Sequence, residues 1–484
     1  MINNTAPGYA PGLAPAAARR RVLKQLAGMG ALGLVPGLAG VLGQNAAAAS
    51  GPGSYKALVC IFLFGGNDGN NLVVPTDSTG YGNYLLARGN VVGTPANGAL
   101  ALPAAGATGG VLPLNGVNYG LHPSMPELQA LWNSGNVALL FNLGTLVQPL
   151  TLTQYLANST NPAMVPGNLF SHIDQQHQMQ ITSLPLAGTT GWAGRMADQI
   201  GSGAAAMPVG VSAAGNALFL AGASSTPIVV PQSGPLAYNG FNGSAAANAR
   251  LAALESLFAS GSDATLVSGV GAVQADAIAK ANLLGPVLSG TSPLAAYFPT
   301  NSNNALSALS QQLLQVARLI QSASAGTIST PPQQIFFVDL QGFDTHNDQL
   351  NRQAPLLADL SASLAGFYQA MVSIGAQNNV VAFTLSDFSR TLKPASGGGS
   401  DHAWGSHHLV VGGPSAVKSG TYGAFPDLTL GGASDVSSEG RWLPGTSIDQ
   451  YGATLGKWLG LSAQLALALP NLMNFPIQDL GFLA

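Results

Sequence analysis

Charge is scarce in this chain: of 484 residues only 7% are Asp, Glu, Lys or Arg, and the formal net charge is −3. That balance removes the clustered cations by which proteins hold nucleic acid or an anionic membrane surface, so neither is an expected partner. Cysteine is scarcer still. A lone Cys60 excludes an internal disulfide, a CxxC redox centre and a thiolate metal cage. Its place inside the apolar run Ala57 to Phe64 reads as a buried structural thiol. Long uninterrupted apolar runs are missing as well. The stretch that ends near Val41 is broken by Gly28, Gly30, Gly33, Pro36, Gly37 and Gly40, whereas a spanning helix wants roughly 20 apolar residues, so no stable membrane anchor is expected. Dinucleotide fingerprints and haem motifs are absent too, which leaves redox chemistry without support.

What the N-terminus does contain is Arg19-Arg20-Arg21, the broken apolar stretch and then Ala47-Ala48-Ala49. A twin-arginine entry, an apolar middle and a small-residue cleavage site make residues 1–49 a twin-arginine signal peptide. The expected partner there is the twin-arginine export machinery, and the expected location is the periplasm or the outside of a bacterial cell. Residues 50–484 then form the mature protein.

With 47% apolar residues the mature chain has ample material for a large core, while 62 Gly and 31 Pro point to many long loops. Apolar runs of β type occur at Ala57 to Phe64, Val137 to Asn142, Pro208 to Val211, Ile335 to Leu340, Val380 to Leu385 and Leu409 to Val411. Helical patterns separate them. Continuous apolar strands alternating with helices predict an α/β fold, a three-layer sandwich around a mostly parallel central sheet. Residues 212–330 are rich in Ala, Ser and Gly and nearly free of charge and His, which reads as a helical insertion or cap.

Against this sparse background the ionisable residues gather. Six of the seven histidines fall in or beside three polar knots: Ser171-His172-Ile173-Asp174, Gly342-Phe343-Asp344-Thr345-His346, and Asp401-His402 running on to His407-His408. In open parallel sheets ligands collect beyond the carboxyl ends of the strands. Asp68 follows the first run, Asp344 and His346 follow the Ile335 run, and Asp387 and Arg390 follow the Val380 run. Carboxylates crowded into one crevice repel one another unless a cation compensates them. Mixed Asp and His donors suit Zn²⁺, Mn²⁺ or Fe, and two such ions would suit a hydrolase that clamps a phosphoryl-type group. Each part also has a plainer reading. Asp68 fits an Asx turn, Asp387 and Ser171 fit helix caps, and His122 fits a helix start.

The order of these motifs resembles the twin-arginine-exported bacterial proteins of domain-of-unknown-function family 1501. The resemblance rests on Phe64-Gly65-Gly66-Asn67-Asp68-Gly69-Asn70-Asn71, Leu121-His122-Pro123, Leu169-Phe170-Ser171-His172, Gly191-Trp192-Ala193-Gly194-Arg195, Gly342-Phe343-Asp344-Thr345-His346, Ser386-Asp387-Phe388-Ser389-Arg390-Thr391 and Asp401-His402-Ala403-Trp404-Gly405. That family is similar in turn to the alkaline phosphatase and sulfatase superfamily. The resemblance implies a two-metal site, with Asp344, His346 and one of His407 or His408 at one ion, and Asp68, Asp387 and His402 at the other. The divalent ion is left open among Zn, Mn, Ca and Mg. Phe388 stands where the superfamily has a ligating His, so that imidazole must come from elsewhere. Ser171 is the implied nucleophile, with Thr145 and Thr151 as runners-up, His172 as general acid or base, and Arg390 as a clamp on a non-bridging oxygen. The expected activity is hydrolysis of a small-molecule phosphate or sulfate ester. The alternative is a non-catalytic binding or assembly protein that keeps the same fold.

Overall fold

The computed structural model describes residues 55–484 apart from 95, 183–187, 239, 241–242 and 260–264. The signal peptide expected at 1–49 lies outside the described residues. The six expected apolar runs form β1 (Lys56–Phe64), β2 (Val137–Gly144), β3 (Gly210–Ser212), β5 (Gln333–Gln341), β6 (Val380–Ser386) and β7 (Ser406–Gly412), and three short strands that were not expected join them: β4 (Ile228–Val229), β8 (Gly420–Tyr422) and β9 (Thr446–Ser447). They build one sheet in the order β8-β2-β7-β6-β1-β5-β3-β4, with β9 also on β2. Every pairing is parallel except those of β7, which runs antiparallel to both β2 and β6. The α/β sandwich with a mostly parallel sheet is therefore the fold observed.

Successive side chains of a strand point to opposite faces, and β1 is buried on both. Leu58, Cys60 and Phe62 pack against Trp192 and Met196 of one helix, Trp192–Ile200, and Tyr451 and Leu455 of another, Ile448–Leu459. The other face is covered by the helices Ala308–Ser324 and Gln349–Ser373. Full burial of each Leu, Phe or Met contributes about 1.5–3 kcal/mol, which is why continuous apolar runs end up in the centre of the sheet. Cys60 is fully buried in this core and burial pushes its thiol well up, as befits an inert packing residue.

The region read as an insertion contains the helices Ala245–Ala259 and Thr265–Leu288. Leu236–Gly285 falls in a compact unit of its own, while Ala308–Ser324 belongs to the main unit with the sheet. No helix among the described residues is long and apolar enough to cross a membrane.

Candidate metal centre

Three adjacent parallel strands, β6, β1 and β5, end at one rim of the sheet, and each is followed within a few residues by a carboxylate: Asp387, Asp68 and Asp344. The turn after β1 depends on glycine. Gly65 has φ +109°, and a Cβ there would stand 2.4 Å from the Asp344 backbone nitrogen, so only Gly lets the two loops touch. Beyond β6 the backbone of Ser389 to Thr391 pairs with Asp401 to Trp404, and an antiparallel bridge joins Arg390 to His402. This ladder carries His402 over the rim. His172 arrives from a fourth segment as the first residue of the helix His172–Ile181.

Four of these side chains converge. Asp344 Oδ1 lies 3.0 Å from His346 Nε2, 3.3 Å from His172 Nε2 and 3.8 Å from His402 Nε2. His346 and His402 bring their Nε2 atoms within 2.9 Å of each other. All four donor atoms lie within 4.8 Å of one another. Donors held about 2.0–2.1 Å from a tetrahedral Zn²⁺ stand about 3.4 Å apart, so the observed separations fall around that spacing. The other nitrogens of two of the rings are held from behind. His172 Nδ1 meets Asp387 Oδ2 at 2.7 Å, and His402 Nδ1 meets the Phe170 carbonyl at 2.8 Å. His346 Nδ1 has Asp401 Oδ1 at 4.0 Å. A ring whose far nitrogen is anchored to an oxygen presents its near nitrogen as a ligand or proton carrier, the usual arrangement behind metal-binding imidazoles. His172 Nε2 is buried and without a hydrogen-bond partner. An orphaned acceptor or donor aimed at a carboxylate fits a site completed by a cation or substrate.

The electrostatics separate the four. Burial raises the Asp344 carboxyl, but Arg390, His346 and His172 together pull it below the ordinary carboxylate range. The hydrogen bond that Asp387 accepts from its ring raises His172 against the effect of burial. Burial lowers His402, against the raising hydrogen bond to the Phe170 carbonyl and with help from Arg390 and the neighbouring imidazoles, which favours the unprotonated ring that a metal ligand needs. The mouth is open, with the Asp344 and His346 side chains 48% and 45% exposed.

Several expected site residues take other places. Asp68 is buried against Arg88 in an ion pair with no exposure on either side. Its Oδ1 also accepts the Asn70 amide, so it caps a short helix and stands outside the four-residue cluster. Asp387 lies behind His172, where it also accepts from Gly65 N and Gln176 Nε2. His407 and His408 sit inside β7, fully buried, with burial pushing both down to about 3. His407 Nδ1 accepts the Asn142 amide and His408 Nδ1 meets the Thr384 hydroxyl. The strand alternation that expels one side chain to each face leaves both buried here because both faces of β7 are covered.

Arg390 is fully buried and donates to Gly65 O, Ser400 and Asp344, which leaves no free fork to clamp a substrate oxygen. Ser171 caps its helix by accepting the Asp174 amide at 3.5 Å. Thr151 caps another helix and Thr145 is buried against Gln178. Phe388, in the place of the expected imidazole, has its ring centre 4.7 Å from that of His172 and 4.8 Å from that of His402, with the ring planes tilted by 37° and 33°, so two imidazoles from other segments lie against it. Arg88, Gln176 and Gln349 are not singled out by sequence, and Phe170 enters there only as part of the Leu169-Phe170-Ser171-His172 motif. In a chain with only 16 Lys and Arg, any Arg flanked by apolar residues was the one available signal for Arg88.

The family model described as Protein of unknown function (DUF1501) matches residues 324–441, which include Asp344, His346 and His402. No curated protein sequence matches. Among solved structures, the lipoteichoic acid synthase LtaP from Listeria monocytogenes is similar over 87% of this chain and 74% of its own, with 8% identity and a TM-score of 0.35. The Streptococcus pyogenes phosphoglycerol transferase GacH in complex with sn-glycerol-1-phosphate covers 93% of this chain and 85% of its own at 10% identity and a TM-score of 0.31. Ps i-CgsB in complex with k-i-k-neocarrahexaose is similar at 8% identity and a TM-score of 0.31, over 86% and 74% of the two chains. At these scores no chemistry passes from them to this chain.

Proposed function

We propose that this chain is an exported, metal-dependent hydrolase of phosphate or sulfate esters. The carrying observation is the convergence of His172, His346 and His402 on Asp344 Oδ1 at an open rim of the sheet. Asp344, His346 and His402 are the residues that would hold a divalent ion, and the donor set fits one. Such an ion supplies Lewis-acid polarisation of an ester oxygen. His172 has the attributes of a general acid or base: a free Nε2 facing the cluster, a carboxylate behind its Nδ1, and a raised pKa. Asp387 and Gln176 fix its ring, and Arg390 holds Asp344 ionised and aimed. Attack by Ser171 requires its cap on Asp174 to open, whereas water reaches the exposed edge at Asp344 and His346 without rearrangement.

Metal-loaded protein is expected to release phosphate or sulfate from aryl monoesters, or a phenol from aryl phosphodiesters, and Asp344→Ala to abolish release while the fold stays intact. His172→Gln is expected to keep the metal and lose turnover. One observation favours a second reading, a metal-binding protein without catalysis: all three candidate hydroxyls, on Ser171, Thr145 and Thr151, are engaged by their own surroundings. Bound metal with no release from any of the three ester classes decides for that reading.

A further inference from the structure

The carboxylate that follows β1 has its own cation. Asp68 and Arg88 are both fully buried, and their side chains meet directly. Asp68 also accepts from the Asn70 amide and side chain on Oδ1, and from Gln349 Nε2 on Oδ2. Both oxygens are therefore saturated by donors that carry a positive charge among them, and a divalent ion at Asp68 would have to displace a guanidinium in a dry interior. Asp387, the third rim carboxylate, is likewise engaged by Gly65, His172 and Gln176. Of these three rim carboxylates, only Asp344 keeps an exposed oxygen beside imidazole nitrogens. Two imidazoles and a carboxylate select a borderline transition metal over Mg²⁺ or Ca²⁺, which prefer all-oxygen shells.

The same ion pair is tied to the open carboxylate. Asp68 Oδ2 accepts from Gln349, whose Oε1 accepts from the Ser400 hydroxyl. Ser400 Oγ accepts from Arg390 Nε at 3.1 Å, and Arg390 reaches Asp344 Oδ1 at 3.1 Å. All of the links up to Arg390 are buried.

We propose that Arg88 is the resident cation of Asp68, so that the rim holds a single transition-metal ion of the Zn²⁺ class on Asp344, His346 and His402, with Gln349 and Ser400 as positioning residues for Asp344. This rests on the metal-site reading above and refines it to one ion, with a fixed charge where a second ion was expected.

The experiment is titration of the metal-stripped full chain with Zn²⁺, followed by elemental analysis, and with Co²⁺, followed by its visible absorption. One equivalent per chain is expected. Two equivalents overturn the single-ion assignment and leave the metal reading standing, whereas none overturns both. Asp68→Asn combined with Arg88→Met, which removes both charges together, is expected to retain one equivalent; a folded double variant that loses the ion makes Asp68 a ligand and overturns the proposal. Gln349→Leu is expected to weaken Zn²⁺ binding roughly tenfold, the lower end of effects for groups behind the ligands, and to alter the Co²⁺ spectrum. Ser400→Thr, which keeps the hydroxyl, is expected to bind Zn²⁺ as the parent does. A purely structural role lowers the melting temperature of Gln349→Leu and leaves affinity and spectrum unmoved, which overturns the positioning role.

Discussion

Asp68 and Asp344 follow neighbouring parallel strands, β1 and β5, and a simple count of rim carboxylates treats them alike. Their surroundings make them opposites. Asp68 is sealed beneath Arg88, whereas Asp344 faces solvent among imidazoles with one buried arginine beside it. The lesson is that a strand end offers a position, and the partner that arrives from elsewhere in the chain decides whether the position becomes structure or chemistry. Arg88 is the last step of a nearby helix, Ser78–Ala87, which it ends as the cap, and so reaches Asp68 from only twenty residues away.

The largest expected effect tests the closed half. Arg88→Met alone leaves the Asp68 carboxylate buried and uncompensated, which costs about 3–5 kcal/mol of stability. Asp344→Ala, by contrast, is expected to leave the denaturation midpoint close to that of the parent, because its carboxylate is half exposed. Equal losses in urea melts of the two variants would erase the distinction.

Acid provides the next largest effect. His407, His408 and His122 are buried and neutral, with burial pushing them down to about 3, 3 and 4. Unfolded imidazoles take up protons below about pH 6.5, so the stability these residues contribute is present above that pH and falls as the pH drops through it. Asp449 opposes them: burial lifts it to about 7, so between about pH 4 and 7 the folded chain holds a proton that the unfolded chain has released. These four groups together take up a net two protons on unfolding near pH 5, three on the imidazoles less the one that Asp449 already holds, so they are expected to make stability fall by roughly 3 kcal/mol per pH unit there. His407→Asn with His408→Asn should flatten the slope; an unchanged slope in chemical melts from pH 7 to 5 contradicts the placement of these rings.

A smaller effect is expected at Gly65→Ala, where a Cβ meets the Asp344 amide at φ +109°. Strain of about 1–3 kcal/mol is expected, together with weaker metal binding, since the loop that carries Asp344 must shift. The smallest is expected at Lys457→Gln. Its ammonium pairs with Asp479 in an ion pair exposed on both sides, of a kind worth about 0–1 kcal/mol.

Much of the sheet was legible because its strands are buried on both faces and so read as unbroken apolar runs. Asp344, His346 and His402 were legible because polar knots stand out in a chain so poor in charge. The role of β7 was not. His407 and His408 follow the cluster by five residues and look equally ligand-like, but their neutrality inside the sheet depends on Asn142 and Thr384, residues far away in sequence. Phe388 carries a similar lesson. Its apolar ring signalled a missing ligand, and only the fold shows His172 and His402 brought in against it from two other segments.

The central claim is that Asp344, His346 and His402 capture one transition-metal ion at the open rim. Calorimetric titration of the stripped protein with Zn²⁺ tests it most directly: the account predicts saturable binding that disappears in His402→Ala and survives in His408→Ala. Binding that survives in the first variant and disappears in the second, or no binding in the parent, would contradict it.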